Sequence, residues 1–173
     1  MNWFKRIDYW LLAALGFVFL YRLPTFFEPY WDGDEGVYYI LGQVIARCGV
    51  LYRDIWDNKT PLLYLIYAVR PELWWAKLTA LVCVLGTSVG VYFLGKKLKV
   101  NGPLAALLTG IFLSLPMLAG NTANAELYFT LPIVWGAYLV WERKWPWVLG
   151  FLAAIAFNLK VPAILDFVGL FLA

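Results

Sequence analysis

The sequence contains no histidine and only two cysteines, and Asp, Glu, Lys and Arg together make up 14% of its 173 residues. The first absence removes imidazole from any acid–base or metal chemistry of the chain. With Cys48 and Cys83 alone, no zinc-ligand spacing exists. Cys83 lies deep in an apolar run and Cys48 does not, so no disulfide is expected between them. The scarcity of charge excludes an ordinary soluble domain, which is about a quarter charged and about half apolar. The basic residues are dispersed, so nucleic acid is not an expected partner. No internal repeat, low-complexity tract or strand-like alternation is present.

What the chain has instead is apolar length. Hydrophobic residues make up 63% of it, and the mean hydropathy is +0.71. A helical span needs about 20 predominantly apolar residues, fewer where flanking charges snorkel. Residues 9–26, 73–95, 102–120, 127–141 and 145–159 meet that need, and a further run covers 161–173. The expected fold is therefore all-α, a polytopic transmembrane bundle of about five or six spans. The opening "MNWFKRIDYWLLAALGFVFLYRLP" has the basic start of a signal peptide, but Arg22, Leu23 and Pro24 stand where small cleavage-site residues would. An uncleaved first span is expected.

The short loops set an orientation. Lys5 and Arg6, then Lys96, Lys97 and Lys99, then Arg143 and Lys144 all fall on one side if the intervening spans cross. That side is cytoplasmic by the positive-inside rule. The N-terminus is then cytoplasmic, and the polar segment 27–60 faces outward from a multi-pass protein, with a bacterial inner or plasma membrane as the expected location. Trp74, Trp75, Trp141, Trp145 and Trp147 fit an interfacial aromatic belt. The outward side also carries Arg22, Arg47, Arg53, Lys59, Arg70 and Lys77. So many cations there ask for a reason, and phosphate is one.

The outward segment has helical patterning. In "EGVYYILGQVIARCG", Val37, Ile40, Leu41, Val44, Ile45 and Cys48 recur at helical spacing, which predicts an amphipathic helix on the membrane surface. "NKTPLLYLIYAV" predicts a second, with Thr60 as N-cap and Pro61 at the first helical position. It is too short to cross and is stopped at Arg70-Pro71.

Three stretches could carry chemistry. In "YWDGDEGVYY", Asp32, Asp34 and Glu35 fall within four positions. Carboxylates cap helix N-termini, but capping uses one acid or two. The functional reading is a general base held ionised by the helix N-terminus. Asp32-Gly33-Asp34 also has a spacing that can hold a divalent cation through phosphate groups, although so short a pattern is a weak sign of a metal or cofactor. "YRDIWDNKTP" sets Arg53, Asp54, Asp57 and Lys59 before a helix start; it reads as a solvated loop or as a phosphate site. Its Asn58-Lys59-Thr60 sequon is too common to weigh. "GNTANAELYFTLP" places Glu126 at the outer ends of two spans, as a cap or as a second carboxylate converging on the first. Lys160 and Asp166 draw the same suspicion more weakly.

In this order, the three stretches resemble membrane glycosyltransferases of the GT-C type, closest to the bacterial branch related to protein O-mannosyltransferases and aminoarabinose transferases. The matching residues are Asp34-Glu35 in "GDEGVYY", the stretch "GVLYRDIWDNKTPLLYLIYA", and "NAELYFTLP". Thr60 replaces the first proline of the usual pair, and Asn58 replaces a glutamate of the aminoarabinose enzymes. Family members are much longer, so the resemblance implies that residues 1–173 correspond to the N-terminal part of such a transferase, with an outward catalytic loop at 27–60. A segment of that kind would be incomplete as an enzyme by itself.

The resemblance further implies a polyprenyl-phosphate-linked sugar as donor and inverting transfer to a hydroxyl of a cell-envelope glycan, lipid or protein. Asp34 and Glu35 would be catalytic, Asp34 as the base and Glu35 positioning. Lys59, Arg53, Asp32, Asp57 and Glu126 would bind the lipid phosphate or the acceptor, and any metal would use Asp32 and Asp34. The alternative is a non-catalytic polytopic membrane protein, part of a lipid-linked sugar flippase or transporter, whose outward charges bind lipid headgroups. The few polar groups in the spans favour the transferase over a path through the bilayer.

Overall fold

The computed structural model describes residues 8–30 and 33–172. Asp32 lies outside them, as do Lys5 and Arg6 of the first basic cluster. Among the described residues there are eight α-helices and no strand: α1 Tyr9–Arg22, α2 Gly33–Ala46, α3 Pro61–Val69, α4 Leu73–Lys97, α5 Gly102–Phe112, α6 Ala125–Glu142, α7 Pro146–Leu159 and α8 Ile164–Leu172.

Two helical stretches are long and apolar enough to cross a membrane: Tyr9–Phe27, in which a 3-10 turn extends α1, and α4. At 1.5 Å per residue, the 25 residues of α4 reach about 37 Å. The apolar helices Gly102–Phe112, Pro146–Leu159 and Val161–Leu172 are shorter. The run 102–120, expected as one span, is α-helical only as far as Phe112, with a 3-10 turn at Pro116–Leu118. Pro116 disfavours helical backbone at the preceding residue, and Leu115 is extended, with ψ 126°. The chain then folds back, and the Gly120 N–H bonds the Leu115 carbonyl at 3.0 Å. Hydropathy alone carries no sign of that reversal.

The bundle packs through small residues. Ala14, Ala76, Ala80, Ala106, Ala153 and Ala156 are buried, whereas Phe17, Val82, Leu108, Phe112, Phe151 and Leu165 point outward and are more than half exposed. A soluble protein rarely exposes contiguous large apolar surface; helices that pack inside lipid bring small residues together and turn large ones out. Gly110 illustrates the close approach: a Cβ there would lie 2.3 Å from Val18 Cγ2, across the α1–α5 contact.

Polar contacts mark the two ends of the bundle. At one end Asp8 caps α1, accepting from the backbone N–H of Trp10 at 3.2 Å and from the Tyr92 hydroxyl at 2.8 Å. Lys96 lies 3.5 Å from the same carboxylate, and Glu142 at the end of α6 pairs with Lys97 and Lys144. The other end holds α2, α3, the start of α6 and the end of α7.

At that second end the loop 120–124 is largely buried, so its backbone groups need partners inside the protein. Four elements supply them. Arg22 donates to the Gly120 carbonyl, Lys77 to Asn121 at 2.9 Å, and the Tyr67 hydroxyl to Ala123 at 2.7 Å. Glu35 accepts from the Ala123 N–H at 2.7 Å. Arg22 and Lys77, counted among the outward cations, are therefore interior groups of the bundle.

Both helices expected in the segment after the first span are present, with two differences in detail. Tyr38 of α2 packs against Tyr64 and Tyr67 of α3, Leu41 is buried and Glu35 turns toward Lys77 of α4, while Val37 and Ile40 are exposed. Its closest approach to α3 is at Gly42, where a Cβ would meet Tyr67 Cβ at 2.6 Å. Thr60 and Pro61 sit at the predicted positions of α3, yet the Thr60 side chain makes no capping bond; among the described residues its buried hydroxyl has no partner. Cys48 and Cys83 are both free.

Candidate active site

The first turn of α2 sets Asp34 one helical turn before Tyr38, so both side chains share a face. The Tyr38 hydroxyl donates to Asp34 Oδ2 at 2.9 Å. Lys59 Nζ donates to the same oxygen at 2.7 Å and lies 4.7 Å from the centre of the Tyr38 ring. Two acidic residues, Asp34 and Glu35, thus complement the dipole of α2, as the capping argument expects, but their side chains part company.

The loop between α2 and α3 delivers Lys59. Cys48 and Tyr52 take left-handed backbone, φ 66° and 68°, and a single bridge joins Leu51 to Ile55. Asp54 accepts from the Val50 N–H at 2.8 Å, and the Tyr52 hydroxyl donates to the Lys59 carbonyl at 2.6 Å. Asp57 accepts from the Tyr64 hydroxyl and the Asn58 N–H, both at 2.7 Å. These bonds fix the approach of Lys59 and commit Asp57 to the loop itself. Arg53 is engaged by its neighbour Asp54 at 2.8 and 2.9 Å, both well exposed, and makes no bond to the Asp34–Lys59 pair.

A second ion pair stands beside the first. Glu126, in the first turn of α6, pairs with Lys160, the residue that ends α7. The carboxyl of Asp34 is held below its ordinary range, chiefly by the hydrogen bond from Lys59; partial burial opposes this, and the Tyr38 bond and the charges of Lys59 and Lys160 add to it. Tyr38 is pushed far upward by burial first, then by its bond to Asp34 and the charges of Asp34 and Glu126. At neutral pH the site therefore presents an ionised Asp34 beside a neutral Tyr38, with Lys59, Glu126 and Lys160 within electrostatic reach.

Glu35, although adjacent to Asp34 in sequence, faces inward. Its carboxylate is fully buried, 2.9 Å from Lys77 Nζ. It has no open path to a substrate, and its neighbours make it an anchor between α2, α4 and the loop 120–124. Among the described residues no group of three or more Asp, Glu and Cys side chains could hold a metal ion, and Asp32, the other half of the expected cation pair, lies outside them.

Sequence reasoning brought Asp34, Lys59 and Glu126 forward and underrated three others. Tyr38 carries the i, i+4 spacing from Asp34 that would have flagged it. Lys77 is an ionisable group inside an apolar span, itself a sign of function or pairing. Lys160 follows an apolar run, and only the meeting of α7 with α3 and α6 gives it meaning. Comparison with family models, with curated proteins and with solved structures finds no match.

Proposed function

We propose that this chain is a multi-pass membrane component of a GT-C type glycosyltransferase, in which Asp34 is the general base and Lys59 binds the phosphate of a polyprenyl-phosphate-linked sugar. The supporting observation is convergence. Asp34, Lys59 and Glu126 come from three stretches of sequence and meet at one end of the bundle. The opposite end carries Lys96, Lys97 and Lys144, the cations that the positive-inside rule assigns to the cytoplasm. The helix packing, small residues in and large ones out, suits several crossings.

In this reading the bundle presents the Asp34 site outward, where nucleotide sugars are absent and a lipid-borne donor is at hand. Asp34 takes the proton of an acceptor hydroxyl, and the acceptor oxygen attacks the anomeric carbon. The bond to the lipid phosphate breaks from the opposite face, inverting the centre, and the phosphate leaves with the bonding pair. Its growing negative charge falls to Lys59, a role whose removal typically costs about 10²–10³ in rate. Glu35 is a positioning residue through its bonds to Lys77 and Ala123. Arg53 is not assigned a part.

The test is sugar transfer from a polyprenyl-phosphate donor by the protein in liposomes. Lys59→Ala should impair donor use far more than Lys97→Ala at the other end. Equal and small effects of the two would leave Lys59 an ordinary loop cation.

A further inference from the structure

Lys160 is a cation near Asp34 that the proposed transfer does not use. It ends α7 beside the start of α3, and the two helices enclose an open apolar groove of about 280 Å³. Leu62 and Leu65 line it from α3, Phe151 and Ala154 from α7. Its lining also includes Pro61, two residues after Lys59, and Asn158, two residues before Lys160. Neither lysine is among the lining residues; each stands two residues from one of them in sequence, and the Asp34 carboxyl feels the charges of both.

The two ion pairs are unequal in their exposure. The side chains of Lys59 and Lys160 are 19% and 31% exposed, whereas those of Asp34 and Glu126 are 54% and 53% exposed. The cations are the seated partners: Lys59 rests against the Tyr38 ring and Lys160 lies 5.9 Å from the centre of the Phe129 ring. The carboxylates can turn to water without being buried uncompensated. An incoming anion can thus take both ammonium groups while water solvates the two acids, and charge-assisted bonds to phosphate are the strong kind.

We propose that Lys59 and Lys160 together form a phosphate site, opened by exchange of Asp34 and Glu126 for the ligand and continued by the α3–α7 groove, which takes an apolar chain. The ligand class is a phosphate ester bearing such a chain. This rests on the reading of Lys59 as a phosphate group's partner and adds Lys160, the groove and the exchange. It carries a consequence for the base: a ligand that draws Lys59 away from Asp34 makes that carboxylate a stronger proton acceptor at the moment the donor is in place.

The experiment is equilibrium binding of radiolabelled farnesyl phosphate to the full chain in lipid nanodiscs, with inorganic phosphate and farnesol as competitors and melting curves as a folding control. Farnesyl phosphate should bind more tightly than either competitor. Lys160→Met should weaken it about tenfold, as loss of a charge-assisted contact does. Glu126→Gln should tighten it up to about fivefold, because a competing carboxylate is gone and an exposed pair is worth little. Ala154→Trp should weaken farnesyl phosphate and leave inorganic phosphate unchanged. If Lys59→Met weakens binding and Lys160→Met does not, the two-lysine site is wrong while Lys59 keeps its role. If neither lysine matters, or farnesyl phosphate does not bind, both readings fall. Weaker binding in Glu126→Gln with unaltered melting would overturn the exchange, and an unaffected Ala154→Trp would overturn the groove.

Discussion

The ammonium of Lys77 lies 2.9 Å from a carboxylate oxygen of Glu35, and neither side chain reaches solvent. The pair joins α2 to α4, and through Asn121 and Ala123 it also holds the loop that leads into α6. It stands one residue from Asp34, so the backbone that presents the candidate base is tied to the centre of the bundle.

Breaking such a pair should cost more than removing it. Lys77→Met alone leaves a buried carboxylate without its cation, a loss of about 3–5 kcal/mol. Glu35→Gln with Lys77→Met keeps an acceptor for the Ala123 N–H and removes both charges, and should recover most of the loss. Denaturant unfolding in detergent micelles measures this. Equal costs for the single and double variants would show that the ion pair is not what matters there.

Much of this arrangement was legible beforehand, and the limits have physical causes. The ends of α3, α4, α6 and α7 follow closely from Pro, Gly and charge punctuation, because those residues act locally, whereas α2 stops at Ala46, short of the Cys48 its apolar spacing reached. The acid pair at the start of α2 was visible, but its division into an outward Asp34 and an inward Glu35 was not. Adjacent helical residues point about 100° apart, and which one meets the core depends on α4, some forty residues away. Arg22 and Lys77 looked like surface cations for the same reason. Lys160 was dimly visible because its partner, Glu126, is distant in sequence. The end of α5 was missed because an apolar reversal looks the same as an apolar span to a hydropathy reading.

The orientation makes a direct prediction. A cysteine introduced at position 57, in the loop before α3, should react with a membrane-impermeant thiol reagent in intact cells. One at position 98, just after α4, should react only after the membrane is opened. The reverse pattern would put the Asp34 site on the cytoplasmic side and remove the argument for a lipid-borne donor.

The depressed carboxyl of Asp34 gives a pH signature. A carboxyl whose folded value lies below its unfolded value contributes stability above the unfolded value, about 3.9, and loses it as pH falls through the folded value. Asp34 is more than half exposed, so solvent screens that contribution. The effect on catalysis is clearer, because a base must be ionised to act. Lys59→Met removes the group chiefly responsible for the lowering, so the acid limb of kcat/KM for transfer should move to higher pH. A limb that stays in place while the rate falls would assign that limb to another group.

The central claim is that Asp34 accepts a proton, and Asp34→Asn tests it most directly. Asparagine caps a helix about as well as aspartate and can still accept bonds from Lys59 and Tyr38, so the protein should insert and fold as before. It lacks the basic oxygen. Transfer from a polyprenyl-phosphate sugar, measured with the protein in liposomes, should then drop by about 10²-fold or more, the usual scale for a positioned base. Retained transfer in Asp34→Asn, with normal insertion, would contradict the assignment of Asp34 as the base.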